Sequence, residues 1–440
     1  MSESRRCRVG KQGRAGGGER EARRSGYWCA SNTTKVRRKE QKLFSSKDFR
    51  FFFIFRSKSG SLSTLTSYNM SSRIIIDCDA GVDDCQALML ALSSHTTGTI
   101  EIVAITTVTG NVHNQKVIRN VKRCVAVQSL DNLRRGLPIL DIPVYYGAEE
   151  PMIVDVDEAE KHAMFWHGND GIGGSSSAID EGVRMACSHH EATSADKLLD
   201  PRPTDETPAA VKMAQLVLSS PGEISIVALG PMTNVALACK LFPTFPMSVK
   251  EFTFMGGTRF ARGNANLTAE FNAYGDPEAL QVVLRAFAGK ATMVGWDLTC
   301  RCGVPFDWTS EQWFGDTADG IAGTNPVGSF LELVSREIMR KSREGPWKDC
   351  GLLVPDPLAM AVAILPPKDL GVQKRSYFAT VELGGKRTRG MVVIDSDGLF
   401  ANQRDSGGEG EKSTAAGSAY ANLSVVTEMN VDLFMAALMR

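Results

Sequence analysis

From residue 70 onward, short apolar runs rich in β-branched residues alternate with stretches in which apolar residues recur at helical spacing. Short apolar runs that are closed by glycine, asparagine or aspartate are typical of buried strands in a parallel sheet. The predicted strands are residues 74–76, 100–108, 224–229, 251–255 and 292–294, and the predicted helices include residues 208–218 and 234–241. This alternation predicts an α/β fold with an open, mostly parallel, Rossmann-like sheet and helices on both faces.

Residues 1–69 differ from this pattern, because they are rich in Arg, Gly and Ser and show neither helical nor strand periodicity. They carry 17 Lys and Arg against 5 Asp and Glu. We predict a disordered basic extension over residues 1–69 and one folded domain over residues 70–440.

The remainder of the chain carries 33 Lys and Arg against 45 Asp and Glu, so the folded domain is acidic although the whole chain is neutral. An acidic domain has no general electrostatic reason to bind nucleic acid. No apolar run approaches the ~20 residues of a membrane span. The ten cysteines lack zinc-site spacing, and free thiols in a reducing, cytoplasmic compartment are the expected state.

Four carboxylates follow the first predicted strand within eight residues, at Asp77, Asp79, Asp83 and Asp84. Ligands of open α/β sheets bind beyond the carboxyl ends of the strands, which is where this turn lies. Four like charges so close together repel one another unless a cation binds among them or some remain protonated. The sequence therefore favours a divalent-cation site with oxygen ligands, either Ca²⁺ or Mg²⁺. The alternative is an acidic turn that only stabilises the next helix.

Other polar residues lie where strands or loops are predicted to end. Their amides and carboxylates suit the recognition of vicinal hydroxyl groups, although Asn and Asp also occur as ordinary turn residues. They are Asn111, Asn264, Glu270 and Asn272. A loop histidine, His167, could orient a substrate or act as an acid. Asp356 lies between two prolines, where it could be a helix N-cap or a metal ligand.

Taken in order along the chain, these motifs resemble the inosine-uridine-type nucleoside hydrolases. The resemblance spans residues 73–440 and depends on the Asp-Cys-Asp-Ala-Gly-Val-Asp-Asp run at 77–84, together with later motifs. These are Gly110-Asn111, His167-Gly168-Asn169-Asp170-Gly171, the run at 228–234, Met255-Gly256-Gly257, the run at 264–272 and Asp356-Pro357-Leu358-Ala359. The resemblance implies a nucleoside hydrolase fold and Ca²⁺-dependent hydrolysis of ribonucleosides to free base and ribose, in nucleoside salvage or catabolism.

The resemblance also implies a role for each matching residue. The implied Ca²⁺ ligands are Asp79, Asp84, Asp356 and the backbone carbonyl of Leu229. Asp79 resembles the residue that deprotonates the attacking water, and His167 resembles a histidine on the base side. The residues that would contact the ribose are Asp83, Asn111, Met255, Asn264, Glu270 and Asn272. Members of the family are typically homodimers or homotetramers.

The chain departs from the family pattern at two positions. Ala80 stands where a proline is usual, which is a mild change. Pro355 stands where many members carry a histidine that helps the base to leave, and proline cannot donate a proton. Trp166, Trp296 and Trp347 could instead stack on the base, or His167 could donate to it; each tryptophan could equally belong to the core. The preferred base therefore stays open.

Two other functions are compatible with parts of the sequence. A haloacid-dehalogenase-type phosphoryl hydrolase also begins with a strand and Asp-x-Asp, but usually has Thr or Val where this chain has Gly81. A catalytically degenerate binding protein would explain the missing histidine. The retained carboxylates argue against it, because buried unpaired carboxylates cost stability when they bind nothing.

Overall fold

The computed structural model describes residues 72–153, 163–188, 193–399 and 421–439. The predicted basic extension at residues 1–69 lies outside the described residues. The described chain contains one mixed sheet whose strands run in the spatial order β3-β2-β1-β4-β5-β6-β9-β7-β8. The strands are β1 Ser72–Cys78, β2 Ile100–Thr107, β3 Val144–Tyr145, β4 Ile224–Ala228, β5 Phe252–Met255, β6 Ala291–Val294, β7 Gln373–Val381, β8 Val392–Asp395 and β9 Ala421–Glu428.

The parallel part of the sheet confirms the predicted fold class. β1 pairs in parallel with β2 on one side and with β4 on the other, and β5, β6 and β9 continue the parallel order beyond β4. β7 and β8 are antiparallel additions at the far edge. The sheet is therefore mostly parallel, with a mixed edge that the sequence pattern did not indicate.

Helices cover both faces of the sheet. The longer ones are α1 Val82–Thr96, α2 Asn114–Arg134, α3 Ser176–Cys187, α4 Ala209–Ser219, α5 Thr233–Leu241, α6 Pro277–Ala286, α7 Pro326–Glu344, α8 Pro355–Ile364 and α9 Val431–Leu438. Short helices span Ala195–Leu198, Phe245–Ser248, Phe271–Gly275, Trp296–Thr299, Phe306–Trp308 and Pro367–Leu370, with a π-helical turn at Thr309–Trp313 and a 3₁₀ turn at Lys348–Cys350.

The central strand β1 shows why an apolar run without alternation predicts a parallel strand. Ile74 and Ile76 pack into the apolar core on one face of the sheet, whereas Ile75 packs into the core on the other face. Successive side chains of a strand point to opposite faces, so a strand that is covered on both sides is apolar throughout. Within the described ranges, none of the helices is long and apolar enough to cross a bilayer.

Candidate active site

The site lies at the carboxyl ends of the parallel strands β1, β2, β4 and β5. Asp79 follows β1, Asn111 lies beyond β2, Leu229 follows β4, and Met255 ends β5. Parallel strands bring their carboxyl ends to one edge of the sheet, which is the usual place for ligand binding in this class of fold.

A buried hydrogen-bond network shapes the turn between β1 and α1. The backbone N–H groups of Asp79 and Gly81 donate to the carboxylate of Asp84, over 3.2 and 2.9 Å. Asn111 donates from its side chain to Asp84 over 2.9 Å and from its backbone to Asp79 over 2.7 Å. Asp83 and Asp84 lie in the first turn of α1, where the helix dipole favours negative charge. Asp83 and Asp84 can therefore stabilise the start of α1, as the alternative interpretation predicted. This role does not explain every carboxylate oxygen of the turn.

Three carboxylates converge above this turn. One oxygen each from Asp83, Asp84 and Asp356 lies within 4.8 Å of the others. Oδ1 of Asp79 and Oδ1 of Asp83 are buried and have no hydrogen-bond partner among the described residues. Asp83 thus joins the potential metal ligands, in addition to the sugar contact that the resemblance implied for it.

Asp356 reaches this cluster from the first turn of α8. Val354 is the N-cap and Pro355 occupies the first helical position, so the interpretation of Asp356 as an N-cap is wrong. Its carboxylate is buried and points at the same acidic cluster.

Burial and mutual repulsion raise the pKa values of this cluster. Burial, and next the charge of Asp84, raises the pKa of Asp83 to about 8. The same two causes raise the pKa of Asp79 well above its usual value. Burial followed by the charge of Asp83 does the same to the pKa of Asp356. Such a cluster needs either protons or a cation to be stable at neutral pH.

Glu270 and Asn272 line another part of the cavity, at the start of the short helix Phe271–Gly275. Glu270 caps that helix by accepting from the backbone of Asn272 at 2.9 Å and of Ala273 at 3.1 Å. It also accepts from the backbone of Gly257 at 2.8 Å. Asn272 donates to the carbonyl of Leu229 at 2.5 Å and to that of Met255 at 3.2 Å. Since a carbonyl oxygen has two lone pairs, Leu229 keeps one for another partner.

The structure brings almost all of the sequence-predicted residues to one cavity. Those that line it are Asp83, Asn111, His167, Leu229, Met255, Asn264, Glu270, Asn272 and Asp356. Asp79 and Asp84 are fully buried and lie in the turn beneath it. Oδ1 of Asn264 is buried without a hydrogen-bond partner in the described structure.

Three tryptophans line the same cavity and contact one another. The ring centroids of Trp166 and Trp347 are 5.9 Å apart, and those of Trp296 and Trp347 are 5.4 Å apart with nearly perpendicular planes. Pro355 also lines the cavity. The three tryptophans, which the sequence left as either core or base-contacting residues, therefore form one aromatic cage.

His167 also lines the cavity, and it ends a helical stretch at residues 163–167, so the prediction that it lies in a loop is wrong. Its Nδ1 accepts a hydrogen bond from the backbone N–H of Val82 at 3.1 Å and lies 3.7 Å from Oδ1 of Asp83. Because Nδ1 is the acceptor, the ring is neutral in this arrangement and its proton is on Nε2. His167 can therefore donate from Nε2 as a neutral group.

Sequence reasoning named Asp77 among the four carboxylates but assigned it no role of its own, and the structure places it behind the site rather than in the cluster. Asp77 is fully buried and accepts from Thr106 at 2.6 Å and from Asn234 at 2.8 Å. Burial, opposed by these two hydrogen bonds, raises the pKa of Asp77 to about 6. Asn234 ends the Ala-Leu-Gly-Pro-Met-Thr-Asn run, so its place in a motif was the available signal. Ile338 and Ser342 on α7 also line the cavity, and no motif marks them.

The carboxylates and the tryptophans line one cavity at the sheet edge, so the site could bind a ligand that has both hydroxyl groups and an aromatic ring. Residues 74–436 match the family profile of the inosine-uridine preferring nucleoside hydrolases. The chain belongs to this family and is a hydrolase that acts on the N-glycosyl bonds of nucleosides. The family assignment also excludes the haloacid-dehalogenase alternative.

Relatives in several organisms support the assignment. Pyrimidine-specific ribonucleoside hydrolase RihA of Citrobacter koseri is 30% identical over 335 residues, which cover 76% of this chain and 91% of that enzyme. The inosine-uridine preferring nucleoside hydrolase of Leishmania major is 30% identical over 74% of this chain and 88% of that enzyme. Uridine nucleosidase 1 of Arabidopsis thaliana is 35% identical, but the match covers only 62% of that enzyme and 55% of this chain.

Solved structures share the fold. An inosine-guanosine nucleoside hydrolase superimposes with a TM-score of 0.63 at 26% identity and covers 84% of this chain and 97% of its own. The plant nucleoside hydrolase PpNRh1 superimposes with a TM-score of 0.62 over 84% of this chain and 98% of its own; at 24% identity, this likeness concerns the fold alone.

Proposed function

We propose that the protein is a Ca²⁺-dependent hydrolase that cleaves purine or pyrimidine ribonucleosides to free base and ribose. The observation that carries the proposal is the convergence of Asp83, Asp84 and Asp356 beside an unpaired oxygen of Asp79. All of these groups are buried, and every ligand on offer is an oxygen. This donor chemistry fits Ca²⁺, which takes six to eight oxygen ligands in flexible geometry.

The residues that would hold the ion are Asp79, Asp84, Asp356 and the carbonyl of Leu229, with Asp83 adjacent. When bound, Ca²⁺ would hold the ribose hydroxyl groups and lower the pKa of a coordinated water. Asp79 would then take the proton of the attacking water, for which its unpaired Oδ1 is available. Asn111, Asn264, Glu270 and Asn272 would orient the ribose, and Met255 would pack beneath it.

Cleavage of an N-glycosidic bond passes through a sugar with oxocarbenium character, as in other glycoside hydrolysis. The carboxylates on both sides of the cavity would stabilise that positive charge. The departing base would lie in the aromatic cage, with Nε2–H of His167 as a donor. Pro355 cannot donate a proton, so His167 and the aromatic cage alone would assist the departure of the base.

The proposal extends to the cellular compartment and the assembly of the enzyme. We propose a reducing, cytoplasmic compartment, in which the eight cysteines of the described residues would stay free thiols, and a role in nucleoside salvage. A homodimer or homotetramer is the proposed assembly, and light scattering after size exclusion would measure it.

The first experiment is ribose release from inosine, uridine and adenosine by the purified protein, with and without a calcium chelator. Chelator-sensitive release from any of the three supports the proposal, and the ranking of rates gives the base preference. Absence of release while Ca²⁺ still raises the melting temperature would favour the second candidate, a nucleoside-binding protein without turnover, for which Pro355 is the motivating observation.

Two variants of Asp79 test the assigned roles separately. Asp79→Ala should abolish measurable turnover and weaken Ca²⁺ binding in calorimetry, since it removes a general base worth about 10²–10⁴-fold and a ligand together. Asp79→Asn keeps an oxygen but not the base, so it should lose turnover while retaining more of the metal affinity. Normal activity in Asp79→Ala would refute the mechanism.

A further inference from the structure

Asn120 on α2 joins two loops of the site from behind. Its side-chain amide donates to the backbone carbonyl of Ala80 at 3.0 Å and to that of Asp170 at 2.9 Å. Ala80 belongs to the carboxylate turn at residues 79–84, and Asp170 belongs to the loop that follows His167. Asn120 is completely buried, so water cannot replace these bonds.

The orientation of the Asn120 amide is fixed by its third partner. Nη1 of Arg123 donates to Oδ1 of Asn120 at 2.8 Å, and arginine can only donate. Arg123 is in turn held by a two-pronged ion pair with Asp180 of α3, at 2.7 and 2.8 Å. The nitrogen of Asn120 must therefore face the two carbonyls, and every polar atom of its side chain is used.

The two loops differ in how they are held on their own side. The Asp170 carboxylate accepts from the backbone of Ile172, Gly174 and Ser176 at 2.8–3.1 Å. Ala80 adopts φ 34°, in the left-handed region that non-glycine residues rarely occupy. A turn held in that conformation needs an external partner, and the bond from Asn120 to its carbonyl is one.

On the cavity side, the same two loops meet through the hydrogen bond from Val82 to His167. We propose that Asn120 is a positioning residue: it sets the distance between the carboxylate turn at residues 79–84 and the segment that carries His167. The proposal rests on the proposed function for its kinetic consequence, but the geometry it asserts can be measured without turnover.

The test uses Asn120→Asp, which keeps the shape and the acceptor for Arg123 but removes both N–H donors. Asn132→Asp is the matched control, because Asn132 is also a buried asparagine of α2 and bonds Gln128, Thr96 and Pro138 far from the cavity. The ring ¹⁵N resonances of His167 are recorded in calcium-free protein and assigned with His167→Ala; the chain has only six histidines.

We expect Asn120→Asp to move the Nδ1 resonance of His167 away from its position in the unmodified protein, because the Val82 bond lengthens. Asn132→Asp should leave it in place. An unchanged Nδ1 resonance in folded Asn120→Asp would overturn the proposal. If Asn120→Asp does not fold, Arg123→Lys, which releases the Asn120 amide, should also move the Nδ1 resonance of His167 away from its position in the unmodified protein, and an unchanged resonance in Arg123→Lys would overturn the proposal.

Kinetic measurements on the same variants test whether Asn120 acts through His167. Asn120→Asp should lower kcat more than tenfold, with less than a threefold change in KM, in the otherwise unmodified protein. In the His167→Ala background, the same substitution should cost less than threefold in kcat. Equal losses in both backgrounds would show a general structural role. If the unmodified protein cleaves no nucleoside, the proposed function fails, and the ¹⁵N resonances still decide the positioning role.

Discussion

The backbone N–H of Val82 donates to Nδ1 of His167 across 3.1 Å, so the first residue of α1 fixes the tautomer of His167. The same helix presents Asp83 and Asp84 in its first turn. The start of α1 therefore positions both the acidic cluster and His167, the one imidazole among the described residues that line the cavity. Because one helix positions both groups, predictions follow for the ribose and for the base of the substrate.

Removal of the His167 imidazole should slow turnover without loss of the metal. His167→Ala removes the Nε2 donor, and we expect kcat for inosine to fall about 10²-fold while the Ca²⁺ dissociation constant changes less than threefold. His167→Gln keeps an N–H near the position of Nε2 and should retain more activity than His167→Ala. Steady-state kinetics and calorimetry measure both quantities; a parallel loss of Ca²⁺ binding would contradict the assignment.

Trp347 should contribute to recognition of the base, because it contacts both other tryptophans of the cage. Trp347→Ala should lower kcat/KM by roughly two- to tenfold, the value of an aromatic contact, and more for inosine than for uridine because the purine ring is larger. Trp347→Phe keeps an aromatic face and is the control. Equal kcat/KM for both substrates in Trp347→Ala and the unmodified protein would exclude Trp347 from base binding.

Pro355 lines the cavity at the first position of α8, where a proton donor is absent. Pro355→His should place a donor beside the departing base and raise kcat for uridine several-fold, with little change in Ca²⁺ affinity. Pro355→Ala controls for the altered helix start and should not raise kcat. A decrease of kcat in both variants would mean that the proline itself shapes the cavity.

The calcium-free protein should lose stability as pH rises. The folded state raises the pKa of Asp83 to about 8, above the ~3.9 of an unperturbed Asp. A raised carboxyl pKa adds stability that is complete below the unfolded value and is lost as pH increases through the folded value. The melting temperature of metal-free protein should therefore fall between pH 5.5 and 8.5, by several degrees.

Added Ca²⁺ should reduce this fall, because the cation replaces the protons among the carboxylates. Asp83→Asn removes one of the titrating groups and should flatten the profile of the metal-free protein. Differential scanning calorimetry across the pH range measures both effects. A metal-free melting temperature that increases with pH would show that the cluster is not strained by its own charge.

The sequence could predict the parallel part of the fold because its strands are continuous apolar runs. β7 could not be recognised in this way, since Gln373, Lys374, Arg375 and Ser376 are all exposed and leave no apolar run. β3 has only two residues, too few for any pattern. Both strands exist because neighbouring strands offer them hydrogen bonds, which is information that a local pattern does not contain.

In the site, too, some residues could be predicted from the sequence and others could not. The carboxylates and amides were visible because they cluster at strand ends within short motifs. The sequence named Trp166, Trp296 and Trp347 as candidates to contact the base but could not show that they meet, because they come from three separate segments whose approach depends on packing. Asn120 lies in the middle of a long helix without a motif, and only the two carbonyls it reaches reveal its place. Residue roles within the site stay predictions until the variants are measured.

The strand order has a consequence for how the protein is made. β9, the last strand along the described chain, lies between β6 and β7 rather than at an edge. While the ribosome is still translating, β6 has an open edge and β7 lacks its inner neighbour until residue 428 has emerged. The sheet therefore completes only after β9 has been synthesised, and a nascent chain stalled earlier would display unpaired strands to chaperones or to other chains.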